Sequence, residues 1–189
     1  MVFRPPFITQ IDGSKCQWTN CGCAAHAMAA NRHRKGIDPR NHHGWPPAPS
    51  EIRSRISPYS CGGTSLDDNE AALIHLYEVN LAVKYDVPWD SFRSLIIAGR
   101  GAVVSIRYSV VHGTRFDASP NFYGNHGIYI NERKSDGSYL VGDPLANGRR
   151  GLPKGWQWWP GDLLRRAAEA YPGTNPGTIN ASFTRDTEA

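Results

Sequence analysis

Cysteine, histidine and aspartate supply the reactive groups of this sequence, and the cysteines are unevenly placed. Cys16, Cys21 and Cys23 fall within eight residues, while Cys61 stands apart. Such crowding admits a nucleophilic thiol, a structural thiol or disulfide, or a metal site. A nucleophile needs its thiolate, which is stabilised where the free N–H groups and dipole of a helix N-terminus converge. Cys21 is placed for this. Asn20 can cap a helix that begins beside it, with Ala24, Ala27 and Met28 on one face. Cys23 would point about 200° away around that helix, so the two thiols cannot share a cleft. A buried inert thiol is the ordinary alternative. Zinc held by Cys16, Cys21, Cys23 and either Cys61 or a histidine is another, although zinc pairs favour a two-residue gap and these side chains diverge.

A thiol nucleophile also needs a base. Of the seven histidines, His126 stands out, in Gly124-Asn125-His126-Gly127-Ile128-Tyr129-Ile130. It opens a strand, and its glycine neighbours leave room for a thiol and a substrate to approach. Further on, Val141-Gly142-Asp143-Pro144 puts a carboxylate at the end of the next strand. Pairing of the two strands would set Asp143 beside the His126 ring, where it fixes the tautomer and stabilises imidazolium. The plainer readings are a strand-end histidine that caps a turn and an Asp-Pro that starts one. His112 is a rival base, but it falls in a loop with no carboxylate at strand spacing. His26, on the nucleophile helix, is expected to point elsewhere. His33, His42, His43 and His75 read as surface or loop residues.

The elements that must position these groups change character along the chain. An irregular leading segment with a turn at Asp12-Gly13-Ser14 precedes the Cys21 helix. Residues 35–64 contain Pro39, Pro46, Pro47, Pro49 and Pro58 without periodicity and read as a long covering loop. Ser65 and Asp68 form a capping-box pattern for a helix carrying Leu73, Leu76 and Tyr77. Another helix begins near Asp90, carries Phe92, Leu95 and Ile96, and stops at Gly99. Ala102–Val111, Gly127–Asn131 and Ser138–Gly142 then read as strands, the last pair joined by a turn at Lys134–Gly137. A helix follows over Gly161–Tyr171, and Thr178–Phe183 reads as an edge strand. Helices first and an antiparallel sheet second is an α+β layout. With 189 residues and no repeat or linker, one domain over residues 1–189 is expected.

The formal charge is +4 and the pI about 9.0, which favours anionic surroundings. The basic residues are scattered, with local density only at Arg32–Lys35 and Arg149–Arg150, so nucleic acid is not expected as a partner. The first residues lack a signal-peptide core, and no stretch approaches the roughly 20 apolar residues of a membrane span. Synthesis in the cytoplasm and no membrane partner are the expectations.

The run Asn20-Cys21-Gly22-Cys23-Ala24-Ala25-His26-Ala27-Met28 resembles the nucleophile helix of C39-like cysteine peptidases, which have a papain-like fold. The order Cys, then His opening a strand, then Asp-Pro after the next strand is similar too, and the resemblance covers roughly residues 7–171. It implies Cys21 rather than Cys23 as nucleophile, His126 as base and Asp143 as its orienting group, with no metal or organic cofactor. An upstream glutamine would serve the oxyanion. The family's usual position for it is occupied here by Lys15, so Gln10, in Phe7-Ile8-Thr9-Gln10, is preferred and Gln17 competes. By the same analogy Cys61, in Tyr59-Ser60-Cys61-Gly62-Gly63, could bridge to Cys23 or Cys16, although cytoplasmic synthesis argues against an obligatory disulfide. Compact domains of this style resemble those of bacteriophage lysins. That implies a monomeric endopeptidase acting on a bacterial cell-wall peptide after release from the cell that makes it. A protein-processing protease and a non-catalytic papain-fold module of a phage particle are the competing readings.

Overall fold

The computed structural model describes residues 3–33, 47–57 and 59–185. Among these residues five helices and six strands run in the order α1 (Cys21–His33), α2 (Pro49–Ile56), α3 (Leu66–Tyr77), β1 (Ala82–Pro88), α4 (Trp89–Ile97), β2 (Ala102–Arg107), β3 (Asn125–Arg133), β4 (Tyr139–Asn147), β5 (Lys154–Trp159), α5 (Gly161–Glu169) and β6 (Thr178–Phe183). The strands form one antiparallel sheet in the order β1-β6-β2-β3-β4-β5. The α+β layout expected from the order of elements is what the chain adopts.

Strand alternation gives the sheet two apolar faces. Val103 of β2 and Tyr129 of β3 face α1, α2 and α3, where Met28, Ile52, Leu73 and Tyr77 are buried. Ala102 and Val104, with Ile128 and Ile130, face the opposite way, onto Phe92 and Ile96 of α4 and Leu163, Leu164 and Ala167 of α5. Helix α1 is enclosed on all sides, and every residue from Cys23 to Asn31 is buried. Its alanines and glycine let it lie close to the sheet. A Cβ on Gly142 of β4 would come within 2.9 Å of Met28 Sδ, so glycine there admits the helix.

Several expectations change. The part of the supposed loop that is described contains α2, which starts with Pro49 in its first turn, where a missing N–H costs nothing; residues 35–46 and Pro58 lie outside the described residues. Strands β1 and β5 were not foreseen. The expected strand through Val111 ends at Arg107 and tightens into a 3-10 turn over Tyr108–Val111. The last helix ends at Glu169. Thr178–Phe183 is no edge: β6 lies between β1 and β2, because the chain returns across the sheet after α5. The Ser65 capping box is formed as expected, with Ser65 Oγ accepting from Asp68 N–H and Asp68 accepting from Ser65 N–H.

Candidate active site

Cys21 occupies the first position of α1 and is partly exposed. Asn20 does not cap that helix with its side chain. Its amide donates to Ser14 Oγ at 3.2 Å and its Oδ1 accepts from Arg53 Nε at 2.9 Å, while its carbonyl accepts the first helical bond from Ala24. The approach of β3 is close: a Cβ on Gly127 would lie 3.2 Å from Gly22 Cα and 3.3 Å from Gly22 N. A side chain at this position would crowd the start of the helix.

That crossing brings His126 to the thiol. Its Nε2–H donates to Asp143 Oδ1 at 2.7 Å, and both side chains are buried. The other ring nitrogen, Nδ1, is buried and makes no hydrogen bond among the described residues, and the Cys21 charge acts on the ring. Asp143 Oδ1 also accepts from Leu145 N–H at 2.9 Å, and Oδ2 from the Tyr108 hydroxyl at 3.3 Å. Tyr108 and Phe122 pack edge-on against the His126 ring with centroids 5.0 and 5.7 Å away. Neither aromatic residue had a sequence signal that marked it.

The electrostatics follow from these contacts. Burial raises the Cys21 pKa, but the His126 charge, with the backbone N–H groups of Gly127 and Gly22, outweighs it and holds the thiol below its ordinary value. Burial pulls His126 down, yet the Asp143 and Cys21 charges prevail and lift it to about 10. The arrangement favours a thiolate–imidazolium pair. Cys23 is its opposite: burial pushes that thiol up to about 12, against a smaller lowering by Arg53, so it stays protonated and unreactive.

A cleft of about 310 Å³ opens beside Cys21 and His126, walled by Gly63, Thr64, Leu66, Ser105 and Gly127 among others. His26, expected to point away, lines it as well. Burial lowers the His26 pKa to about 4; its Nδ1–H donates to the Gly22 carbonyl at 2.8 Å, leaving Nε2 to accept from Ser182 Oγ at 3.3 Å. It is a neutral wall of the cleft. His112 lies in the loop between β2 and β3, as expected, and its Nδ1 pairs with Asp117 of the same loop at 3.0 Å. His75 is exposed as anticipated, and His42 and His43 lie outside the described residues.

Gln10 is buried, with its Nε2 donating to the Gln17 carbonyl at 2.9 Å and its N–H to the Pro144 carbonyl at 3.1 Å. Gln17 Oε1 accepts from Gly13 N–H at 3.1 Å. Neither glutamine is among the residues that wall the cleft. Cys16 and Cys61 are joined in a disulfide. Cys61 thus pairs with Cys16 rather than Cys23, and Cys16 is no longer a thiolate that a zinc ion could share with Cys21 and Cys23. Among the described residues no group of three or more His, Cys, Asp and Glu side chains could hold a metal, and no helix is long and apolar enough to cross a membrane.

No family model matches the sequence, and no curated protein matches it. Among solved structures the chain is similar to a Bacillus anthracis protein provisionally described as a C39-like peptidase. The two share 12% identity at a TM-score of 0.60, over 97% of this chain and 96% of that one. Similarity at this level of identity shows the fold, an α+β papain-like one.

Proposed function

We propose that the chain is a cysteine peptidase in which Cys21 is the nucleophile, His126 the general base and acid, and Asp143 the group that orients His126. The observation that carries this reading is the bond of 2.7 Å from His126 Nε2 to Asp143, made while the rest of the ring engages a thiol at a helix N-terminus. The Cys21 thiolate attacks a peptide carbonyl, and negative charge passes to its oxygen. The imidazolium then gives its proton to the departing amine as the C–N bond breaks, leaving a thioester. Water, deprotonated by His126, hydrolyses that thioester and restores the thiol. The Gln10 amide is the proposed oxyanion donor, together with a backbone N–H, and in that role it must turn from the Gln17 carbonyl towards the cleft.

The substrate we propose is a bacterial cell-wall stem peptide, cut by a monomeric, phage-lysin type of endopeptidase that reaches the wall after release from the cell. The net charge of +4 supports an anionic target, and the C39-like similarity of the nucleophile helix supports a peptide one. Incubating purified cell wall with the protein should expose new amino groups, and Cys21→Ala should abolish this. New amines released equally by Cys21→Ala would overturn the catalytic assignment. Hydrolysis of soluble peptides without any action on the wall would overturn the substrate.

A further inference from the structure

Arg53 of α2 is a buried cation, only 4% exposed, and no carboxylate among the described residues pairs with it. It is held instead by three uncharged acceptors: Nε donates to Asn20 Oδ1 at 2.9 Å, one terminal nitrogen to the Gly62 carbonyl at 2.7 Å and the other to the Thr19 carbonyl at 2.5 Å. Two of these acceptors belong to the residues that immediately precede Cys21. The third belongs to the segment that continues through Gly63 and Thr64 into the cleft wall. A buried guanidinium satisfied only by uncharged acceptors is costly unless its fork fits them all at once. The Cys16–Cys61 disulfide joins the same two segments, each bonded cysteine lying close in sequence to the acceptors of Arg53.

We infer that Arg53 is a positioning residue for the reaction: its guanidinium clamps the turn that delivers Cys21 to the wall that receives the substrate. The inference rests on the reading of Cys21 as nucleophile. The clamp works through geometry. Gly22 N–H is one of the groups that lower the Cys21 pKa, and its direction depends on the Thr19–Asn20 backbone that Arg53 holds. The Gly62 carbonyl gives the same side chain control of the cleft's width. The guanidinium and the disulfide act in parallel but unequally: the guanidinium holds the two segments when the disulfide is broken, whereas the disulfide alone holds them only in part.

Two variants and one untouched protein test this. Arg53→Met removes the fork and the charge, and Arg53→Lys keeps the charge without the fork. The readout is the rate of iodoacetamide modification of Cys21 against pH, mapped by mass spectrometry, with Tm measured alongside. This readout needs no substrate, so it stands even if the peptidase reading fails. Both variants should shift the acid limb of the profile to higher pH, and kcat/KM on a susceptible peptide should fall at least tenfold. In the wild-type protein, reduction of Cys16–Cys61 should change kcat/KM by less than threefold, whereas in Arg53→Met it should cause a further loss of tenfold or more. A lowered Tm with an unmoved modification profile would reduce Arg53 to a structural residue and overturn the inference. So would full rescue by lysine. If neither variant folds, the reduced wild-type protein decides: a loss of activity beyond threefold shows that Arg53 cannot hold the site alone.

Discussion

His126 is pulled in opposite directions, down by its burial and up by Asp143 and Cys21, and the charges win. Its value of about 10 lies above the roughly 6.5 of an ordinary histidine. The imidazolium therefore contributes fully to stability below about 6.5, and that contribution is lost as pH rises through about 10. Cys21 acts with the opposite sign: its lowered pKa contributes above the ordinary thiol value and loses that contribution as pH falls through the lowered one. For the ion pair the two limits form a window, bounded below by the thiol and above by the imidazolium, so kcat/KM against pH should be a bell. Asp143→Asn should lower kcat/KM by about 10²–10⁴-fold, by analogy with amide replacement in other triads, and should move the alkaline limb downward. An alkaline limb that stays near about 10 in this variant would show that Asp143 does not set the His126 charge. Tyr108→Phe is a gentler probe. It deletes the hydroxyl that donates to Asp143 and accepts from Ala118 N–H, but keeps the ring against His126. Loss of the Ala118 acceptor should cost about 1–3 kcal/mol in denaturant melts. The accompanying fall in kcat/KM should be smaller than that of Asp143→Asn.

The site is assembled where α1 crosses β3, and Gly127 sets the distance between them. Gly127→Ala would place a Cβ 3.2 Å from Gly22 Cα and 3.6 Å from the Cys21 carbonyl carbon, both backbone atoms that cannot swing aside. Relief requires the helix to lift off the strand, so the expected cost is about 1–3 kcal/mol of stability. The catalytic loss should be far larger, because the thiol moves away from its base. Comparing Tm with kcat separates the two effects, and an unchanged kcat would show that the crossing is looser than the contact distances indicate. Sequence made this crossing legible in part. The small residues after Cys21 and the glycines flanking His126 announced a close approach, and the Ser65–Asp68 box announced α3, because each is a local signal. What escaped was held by distant partners. Strand β1 exposes Lys84, Tyr85 and Asp86 and shifts register between Lys84 and Val87, so its alternation is broken; it exists because β6, about a hundred residues later, pairs with it. Strand β5 begins around a positive-φ Gly155 and is fixed by β4. Arg53 carried no sequence signal, since nothing in its neighbourhood foretold three uncharged acceptors. His112 found a carboxylate only five residues on, a loop contact that strand spacing could not anticipate.

At the scale of the whole molecule, the excess of positive charge acts on encounter rather than on the chemical step. The Cys21–His126–Asp143 group is enclosed, with His126 and Asp143 side chains fully buried, so dissolved salt screens it weakly. The net charge of +4 is scattered along the sequence, and a surface charge is screened within about 10 Å at 0.1 M salt. These two facts predict different salt responses for two substrates of the proposed peptidase. With a short uncharged peptide, kcat/KM should vary by less than about twofold between roughly 10 mM and 0.5 M salt, because neither encounter nor the ion pair feels the added ions strongly. On purified anionic cell wall, hydrolysis should be fastest at the low end and fall about tenfold or more across the same range, as long-range attraction is lost. Hydrolysis rates measured on both substrates in one salt series provide the comparison. Parallel curves would mean that the basic surface plays no part in finding the wall, and the charge argument for a cell-wall target would fall with it. Divergent curves would assign the charge to substrate capture and leave the thiol chemistry to the buried pair.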